Sequence, residues 1–250
     1  MMFKAQILFG FLFIASLCLQ AQTVSSVNQT DAQGRKQGLW RKMDEQGKLK
    51  YEGNFRDDKP SGEFKYYFPE GTLKAKSYFF SKGKISYTTT YFQTGQIMTQ
   101  GKYVNELKDS TWTYYNEAQQ LLSQEAYKAG KKDGPWRTYY VNGNMNEEKN
   151  YKDDLRQGAW ILHFEDGTVK MKGQYEKDML QGLMQLFYTS GKIRVTGPYK
   201  DGLKEGTWLY FTEEGKPMKK EYYMQSIKYR EEIQDKVLQE QIRNDSIKEF

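Results

Sequence analysis

Residues 134–143 read Gly134-Pro135-Trp136-Arg137-Thr138-Tyr139-Tyr140-Val141-Asn142-Gly143. Aromatic and β-branched side chains fill the middle of this stretch, as a strand requires, and Asn142-Gly143 is a strong hairpin-turn signal because glycine tolerates positive φ. A second strand follows, and then a short polar loop, of which Asp201-Gly-Leu-Lys-Glu-Gly206 is an example, leads into another stretch of the same kind. The unit is therefore a β-hairpin plus a connector.

The unit recurs every 24 residues. Taking Gly38 as position zero, the zero-slot holds Gly38, Gly62, Ser86, Ser110, Gly134, Gly158, Gly182 and Gly206. Two residues on stand Trp40, Phe64, Thr88, Trp112, Trp136, Trp160, Met184 and Trp208, so every tryptophan of the chain occupies one slot. The nine-slot is Gly in seven of eight copies, and the eleven-slot is apolar from Leu49 to Ile193, ending in Pro217. The seventeen-slot is aromatic throughout: Phe55, Phe79, Tyr103, Tyr127, Tyr151, Tyr175, Tyr199 and Tyr223. Six residues separate the last two slots, an even number, so simple alternation places both on one face of a strand. The fifteen-slot, often Gly (Gly53, Gly101, Gly173, Gly197), falls on that face too and leaves room for a neighbouring ring.

A hairpin cannot bury a core alone, so neighbours must stack. The sequence predicts an all-β fold: an elongated antiparallel β-hairpin repeat array of about eight copies, with a short C-terminal α-helix. Sixteen strands at about 4.8 Å each give a body on the order of 75 Å long, curved by strand twist. The copy beginning at Ser86 lacks both Gly and Trp, which predicts a local irregularity. Domain boundaries follow as a signal peptide over 1–21, a flexible segment over 22–33, the array over 34–225 and a helix over 226–250. In that tail Glu232/Lys236 and Lys236/Glu240 are favourable i,i+4 pairs, while its apolar residues form an imperfect stripe suited to capping the last hairpin or meeting a partner.

The first 21 residues have the pattern of a secretory leader: Lys4 near the start, the apolar run from Ile7 to Leu19, and Ala21 at a cleavage point. Thirteen apolar residues are too few for a membrane-spanning helix, which needs roughly 17–25. The expected destination is periplasmic, outer-membrane-associated or secreted. Cys18, the only cysteine, is a weaker candidate for a lipid anchor because Leu17 is bulky for that cut; cleavage near Ala21 leaves a chain without thiols or disulfides.

Composition narrows the function. The 38 basic and 32 acidic residues are interleaved, giving +6 without the clustered charge of a nucleic-acid site. Leu, Ile, Val and Phe together number 49 of 250, a low share offset by 20 Tyr and 5 Trp. Ser-His-Asp catalysis needs a histidine, and the single one, His163, sits in the five-slot, a column of rings elsewhere. The carboxylate pairs Asp57-Asp58, Asp153-Asp154 and Glu213-Glu214 recur at turns, where they serve backbone donors. No catalytic residue, metal site or cofactor is expected.

The pattern G-x-W-x-x-Y-Y-x-x-G, seen in residues 134–143, with Tyr199-Lys-Asp-Gly-Leu-Lys-Glu-Gly-Thr-Trp208 at a junction, resembles the MORN repeat, especially the bacterial variant grouped with YwqK-type antitoxin proteins. The resemblance covers about residues 31–223 and implies a hairpin array used for protein or lipid contact, without a catalytic centre. Choline-binding cell-wall repeats are similar in composition but have a shorter period. A leader fits poorly with neutralising a cytosolic toxin. The expected function is an exported, non-catalytic scaffold that binds a protein through an aromatic-rich surface; an envelope glycan- or anionic-lipid-binding module and an antitoxin or immunity role are the alternatives. The candidate binding stripe is the five-slot: Tyr67, Tyr91, Tyr115, Tyr139, Phe187 and Phe211. The structural positions are Gly38, Gly134, Gly158, Gly182 and Gly206 with Trp40, Trp112, Trp136, Trp160 and Trp208.

Overall fold

The computed structural model describes residues 26–234 together with Lys236, Gln239 and Glu240. The leader expected over 1–21, Cys18, and most of the expected C-terminal helix lie outside the described residues. Between Gln29 and Ile233 the chain forms twenty strands of one antiparallel sheet in which successive strands pair, except that Met179–Leu180 and Gly182–Phe187 both pair with Val169–Glu176, and Leu203–Lys204 and Gly206–Phe211 both pair with Ile193–Lys200. The first hairpin sets the pattern. Lys36–Met43 pairs with Leu49–Arg56, with Gly38 opposite Phe55 and Trp40 opposite Gly53. No second layer of described structure covers either face. Among the described residues, no helix is long and apolar enough to cross a membrane.

Two irregularities recur and set which side chain faces where. The hairpin ends are three-residue loops closed by a left-handed glycine, or in one copy by Gln119 (φ 60°); Gly143 (φ 88°) donates to the Tyr140 carbonyl at 2.9 Å. Just beyond each loop the register slips by one: Lys42 faces Tyr51 but Met43 faces Leu49, leaving Lys50 as an extra residue. The same shift occurs in Thr138/Tyr139, Leu162/His163 and Tyr210/Phe211. Paired residues share a face, so the eleven-slot lies with the five-slot, opposite the seventeen-slot. The even spacing that placed the eleven- and seventeen-slots together fails because a bulge interrupts the alternation.

At the connectors, two-residue turns with both φ positive, such as Asp57 (51°) and Asp58 (62°), join consecutive copies. Asn54 then pairs with Ser61, while Gly53 pairs with Phe64, so Gly62 and Glu63 bulge out. That bulge needs the left-handed conformation of Gly62 (φ 70°), which explains glycine in the zero-slot; Ser110 adopts it too, at 59°. The Ser86 copy departs as expected. Its connector contains a 3₁₀ turn over Ser81–Gly83, and pairing runs unshifted from Phe80–Ile85 to Ala75–Thr90. Two residues have moved from the bulge into the turn. Ser77 still faces Thr88, the register of the other copies, and Ser86 is spared the positive φ that glycine serves elsewhere.

Both ends of the array differ from expectation. From Asn28 on, the segment expected to be flexible is bonded to the first hairpin: the Asn28 amide accepts from the Arg41 N–H (2.7 Å) and donates to the Arg41 carbonyl (3.1 Å), as a neighbouring strand would. Gln29–Thr30 then pairs with Lys36–Gln37. At the other end, Ile227–Ile233 is a strand paired with Pro217–Met224, where a helix was expected. The pairing available from the last hairpin outweighs the modest helix propensity of Lys228-Tyr229-Arg230-Glu231-Glu232. Lys236, Gln239 and Glu240 do have helical backbone.

Candidate functional site

The two faces have different characters. On the first, two-slot rings alternate with seventeen-slot rings in a file along the array. Trp40 meets Phe55 at 6.1 Å between centroids, Phe55 meets Phe64 at 5.1 Å, and Phe64 meets Phe79 at 5.1 Å, all edge-to-face. Further on, Tyr103–Trp112 (4.8 Å), Trp136–Tyr151 (5.2 Å) and Tyr199–Trp208 (5.2 Å) continue it. Each such contact is worth about 0.5–1.5 kcal/mol beyond the area it buries. Each two-slot ring leans over the fifteen-slot of the preceding copy. A β-carbon on Gly53, Gly101 or Gly197 would lie 2.2–2.4 Å from the ring above it, and those rings, Phe64, Trp112 and Trp208, are buried. Where Glu125 and Lys149 replace glycine, Trp136 and Trp160 are only half-buried.

A cation lies over the file in most copies, at a slot sequence reasoning passed over although the spacing displays it. Lys36, Lys108, Lys132 and Lys204 place their ammonium groups 4.2–4.8 Å from the centroid of the two-slot tryptophan. Arg156 sits 4.2 Å from Tyr175. Burial pushes the Lys108 ammonium below the usual lysine range. Two carboxylates are also held on this face. Glu125 accepts from Tyr127 (2.9 Å), and burial together with that bond pushes the Tyr127 hydroxyl up to about 12. Burial alone would raise Glu221, but hydrogen bonds from Lys219, Tyr210 and Tyr223 outweigh it and hold the carboxyl well below the usual range.

The file is interrupted at Met184 and at Thr88. The thioether of Met184 fills its place and is buried. Thr88 does not. Its hydroxyl pairs with Ser77 Oγ at 2.8 Å, and above them opens a cavity of about 500 Å³ walled by Tyr66, Phe79 and Tyr103 and edged by Lys50, Lys74 and Lys84.

The five-slot stripe lies on the second face. Tyr67, Tyr91, Tyr115, Tyr139, Phe187 and Phe211 are all half-buried. Tyr67 donates to Glu52 (2.9 Å) and Tyr139 to Gln124 (2.8 Å), while the Tyr115 hydroxyl accepts from Gln100 (3.5 Å). The stripe runs near the hairpin loops; its rings are spaced one per copy and do not converge. His163 occupies its place there, with Nδ1 buried and without a hydrogen-bond partner. Asp58 and Asp154 accept backbone N–H bonds from Lys36 and Lys132, each at 2.8 Å. Among the described residues no group of three or more His, Cys, Asp or Glu converges on a metal-sized site.

One convergence on this face lies outside the stripe. Tyr78, Phe80 and Tyr87, at the connector edge beside the Ser86 copy, are 47 %, 44 % and 57 % exposed. Tyr78 meets Phe80 at 4.7 Å and Phe80 meets Tyr87 at 6.0 Å. These slots are not aromatic together in any other copy, so a column-wise reading passes over them.

The family model described as MORN repeat variant matches residues 36–57, 60–81, 132–153, 180–201 and 204–225. These five segments, 22 residues each, are similar to the MORN repeat variant. The intervening stretches, 84–129 and 156–177, carry the same hairpin geometry outside the matched segments, and the Ser86 copy is among them. No curated protein matches the chain. A solved structure titled "Crystal Structure of TarM" aligns with 38 % of this chain and 20 % of its own, at 14 % identity and a TM-score of 0.28, a likeness too loose to bear on fold or function.

Proposed function

We propose that the chain is an exported, non-catalytic scaffold that holds a protein partner against the second face of its sheet. The observation that carries this reading is the cluster of Tyr78, Phe80 and Tyr87, in which Phe80 packs against both tyrosines and all three rings are left 44–57 % exposed. Clustered exposed rings of this kind are the usual anchors of protein interfaces, since they bury a large area at little conformational cost. The half-buried stripe, including Tyr67 and Tyr91 at the other edge of the same face, extends the surface. MORN repeats as a class serve protein or membrane-lipid contact, and both uses fit a hairpin array with exposed rings. The interleaved charges of this chain favour the protein.

The test is capture from a detergent-solubilised envelope extract by the full chain and by a Tyr78→Ser/Tyr87→Ser variant. Both rings are exposed, so the variant should fold. The reading expects a partner that the wild type retains at 0.5 M salt and the variant loses at least tenfold. Equal capture by both would contradict it, and a signal that disappears with salt would point to anionic lipid.

A further inference from the structure

We propose that the cavity above Thr88 is a receptor for an aromatic side chain carried by an acidic peptide segment. It lies on the ring face, opposite Tyr78 and Tyr87, and deepens the protein-binding reading only in taking a peptide as the carrier.

The molecule itself shows what belongs in this place. At the corresponding position five copies hold an indole, one a phenyl ring and one a thioether; only the Ser86 copy holds a side chain too small to reach its neighbours. The flanking parts remain. Phe79 and Tyr103, the seventeen-slot rings that would pack against an indole edge-to-face, still wall the space. Lys84 stands where Lys108, Lys132 and Lys204 lie over their tryptophans, and in this copy no indole lies beneath it. Ser77, small like the glycines of the fifteen-slot, lies beneath, and its hydroxyl is already satisfied by Thr88. The volume of about 500 Å³ falls in the range of specific ligand pockets. A void lined by rings forfeits their dispersion contacts until a ring enters.

The rim determines the carrier's charge. Lys50, Lys74 and Lys84 edge the cavity, with Glu106 the one carboxylate in its lining. A ring flanked by aspartate or glutamate meets these ammonium groups, while one flanked by lysine does not. Three indoles of the file donate to the backbone carbonyl beside the connector bulge, Trp112 Nε1 to Lys102 at 3.1 Å, Trp136 Nε1 to Ala126 at 3.0 Å and Trp208 Nε1 to Pro198 at 3.2 Å, while Trp160 donates to the Glu147 carboxylate at 2.8 Å. The equivalent carbonyl here is that of Tyr78, which lies in an unbulged ladder opposite Tyr87. The pocket therefore selects a ring for its faces and edges and does not depend on an indole N–H.

The experiment is an NMR titration of the ¹⁵N-labelled full chain with N-acetyl-Asp-Trp-Asp-amide, with the Asp-Ala-Asp and Lys-Trp-Lys peptides as comparisons. Shifts are expected at residues 77–88 and 103 with the first peptide, and at least tenfold weaker binding with the other two. A Ser77→Gly/Thr88→Trp variant restores the pattern of Gly101 beneath Trp112; it should abolish binding and raise Tm. Should that variant fail to fold, Lys84→Ala, an exposed change, should weaken the Asp-Trp-Asp peptide severalfold at unchanged Tm. The proposal is overturned if the peptide produces no shifts at these residues, or if neither variant alters its binding. Tyr78→Ser/Tyr87→Ser lies on the other face and should bind the peptide normally, so loss of partner capture and loss of the ring receptor are read separately.

Discussion

A β-carbon built on Gly101 would stand 2.2 Å from the Trp112 ring, whereas one on Gly173 would meet the end of Met184 at 3.2 Å and the Trp160 ring at an ordinary contact distance of 3.6 Å. The first obstacle is a rigid indole that is 2 % exposed; the second is a flexible thioether that can shift aside. Gly101→Ala should therefore cost about 1–3 kcal/mol by overpacking, and Gly173→Ala much less, as measured by urea denaturation. At this scale the sequence was informative, because fifteen-slot glycines alternate with ring slots in plain view. It was silent on Lys50 and its equivalents. Nothing in Leu49-Lys50-Tyr51 distinguishes an ordinary alternating strand from one with an extra residue, and that residue moves the eleven-slot to the other face.

At the scale of elements, the last hairpin and the strand Ile227–Ile233 are joined through Glu221, which is 5 % exposed. Its carboxylate accepts from Tyr223 (2.8 Å) and Lys219 (2.8 Å), from Tyr210, and from Lys228 (3.4 Å) on that last strand. Because the folded-state pKa is lowered from 4.5, the stability it contributes is complete above that pH and is lost as pH falls toward the folded value. Glu221→Gln should cost about 1–3 kcal/mol at pH 7 and flatten the loss of stability below pH 4.5, measured by thermal melts across pH. Only the start of the tail, Ile227–Ile233, was misread: its charge pattern suits a helix, and its real partner, Pro217–Met224, is a tertiary fact. The Ser86 copy was legible as an irregularity from its missing Gly and Trp. Whether a missing ring leaves an opening was not legible: Met184 fills its place and Thr88 does not, and only packing separates them.

At the scale of the molecule, a single-layer sheet divides its two needs between its faces. One face carries the rings and cations that hold the copies together, so its aromatic surplus is structural except where Thr88 interrupts it. The other has no such file and leaves Tyr78, Phe80 and Tyr87 to solvent. The repeat was unmistakable from the 24-residue columns, and the same regularity concealed the exposed cluster, whose three slots are ordinary everywhere else. Hydroxyl-radical footprinting of the full chain, alone and with its captured partner, tests the division most directly. Tyr78, Phe80 and Tyr87 should label strongly in the free chain and be shielded in the complex, while Trp112 and Trp208 stay unlabelled in both. Equal labelling of the three rings with and without the partner, or their protection in the free chain, would contradict the account.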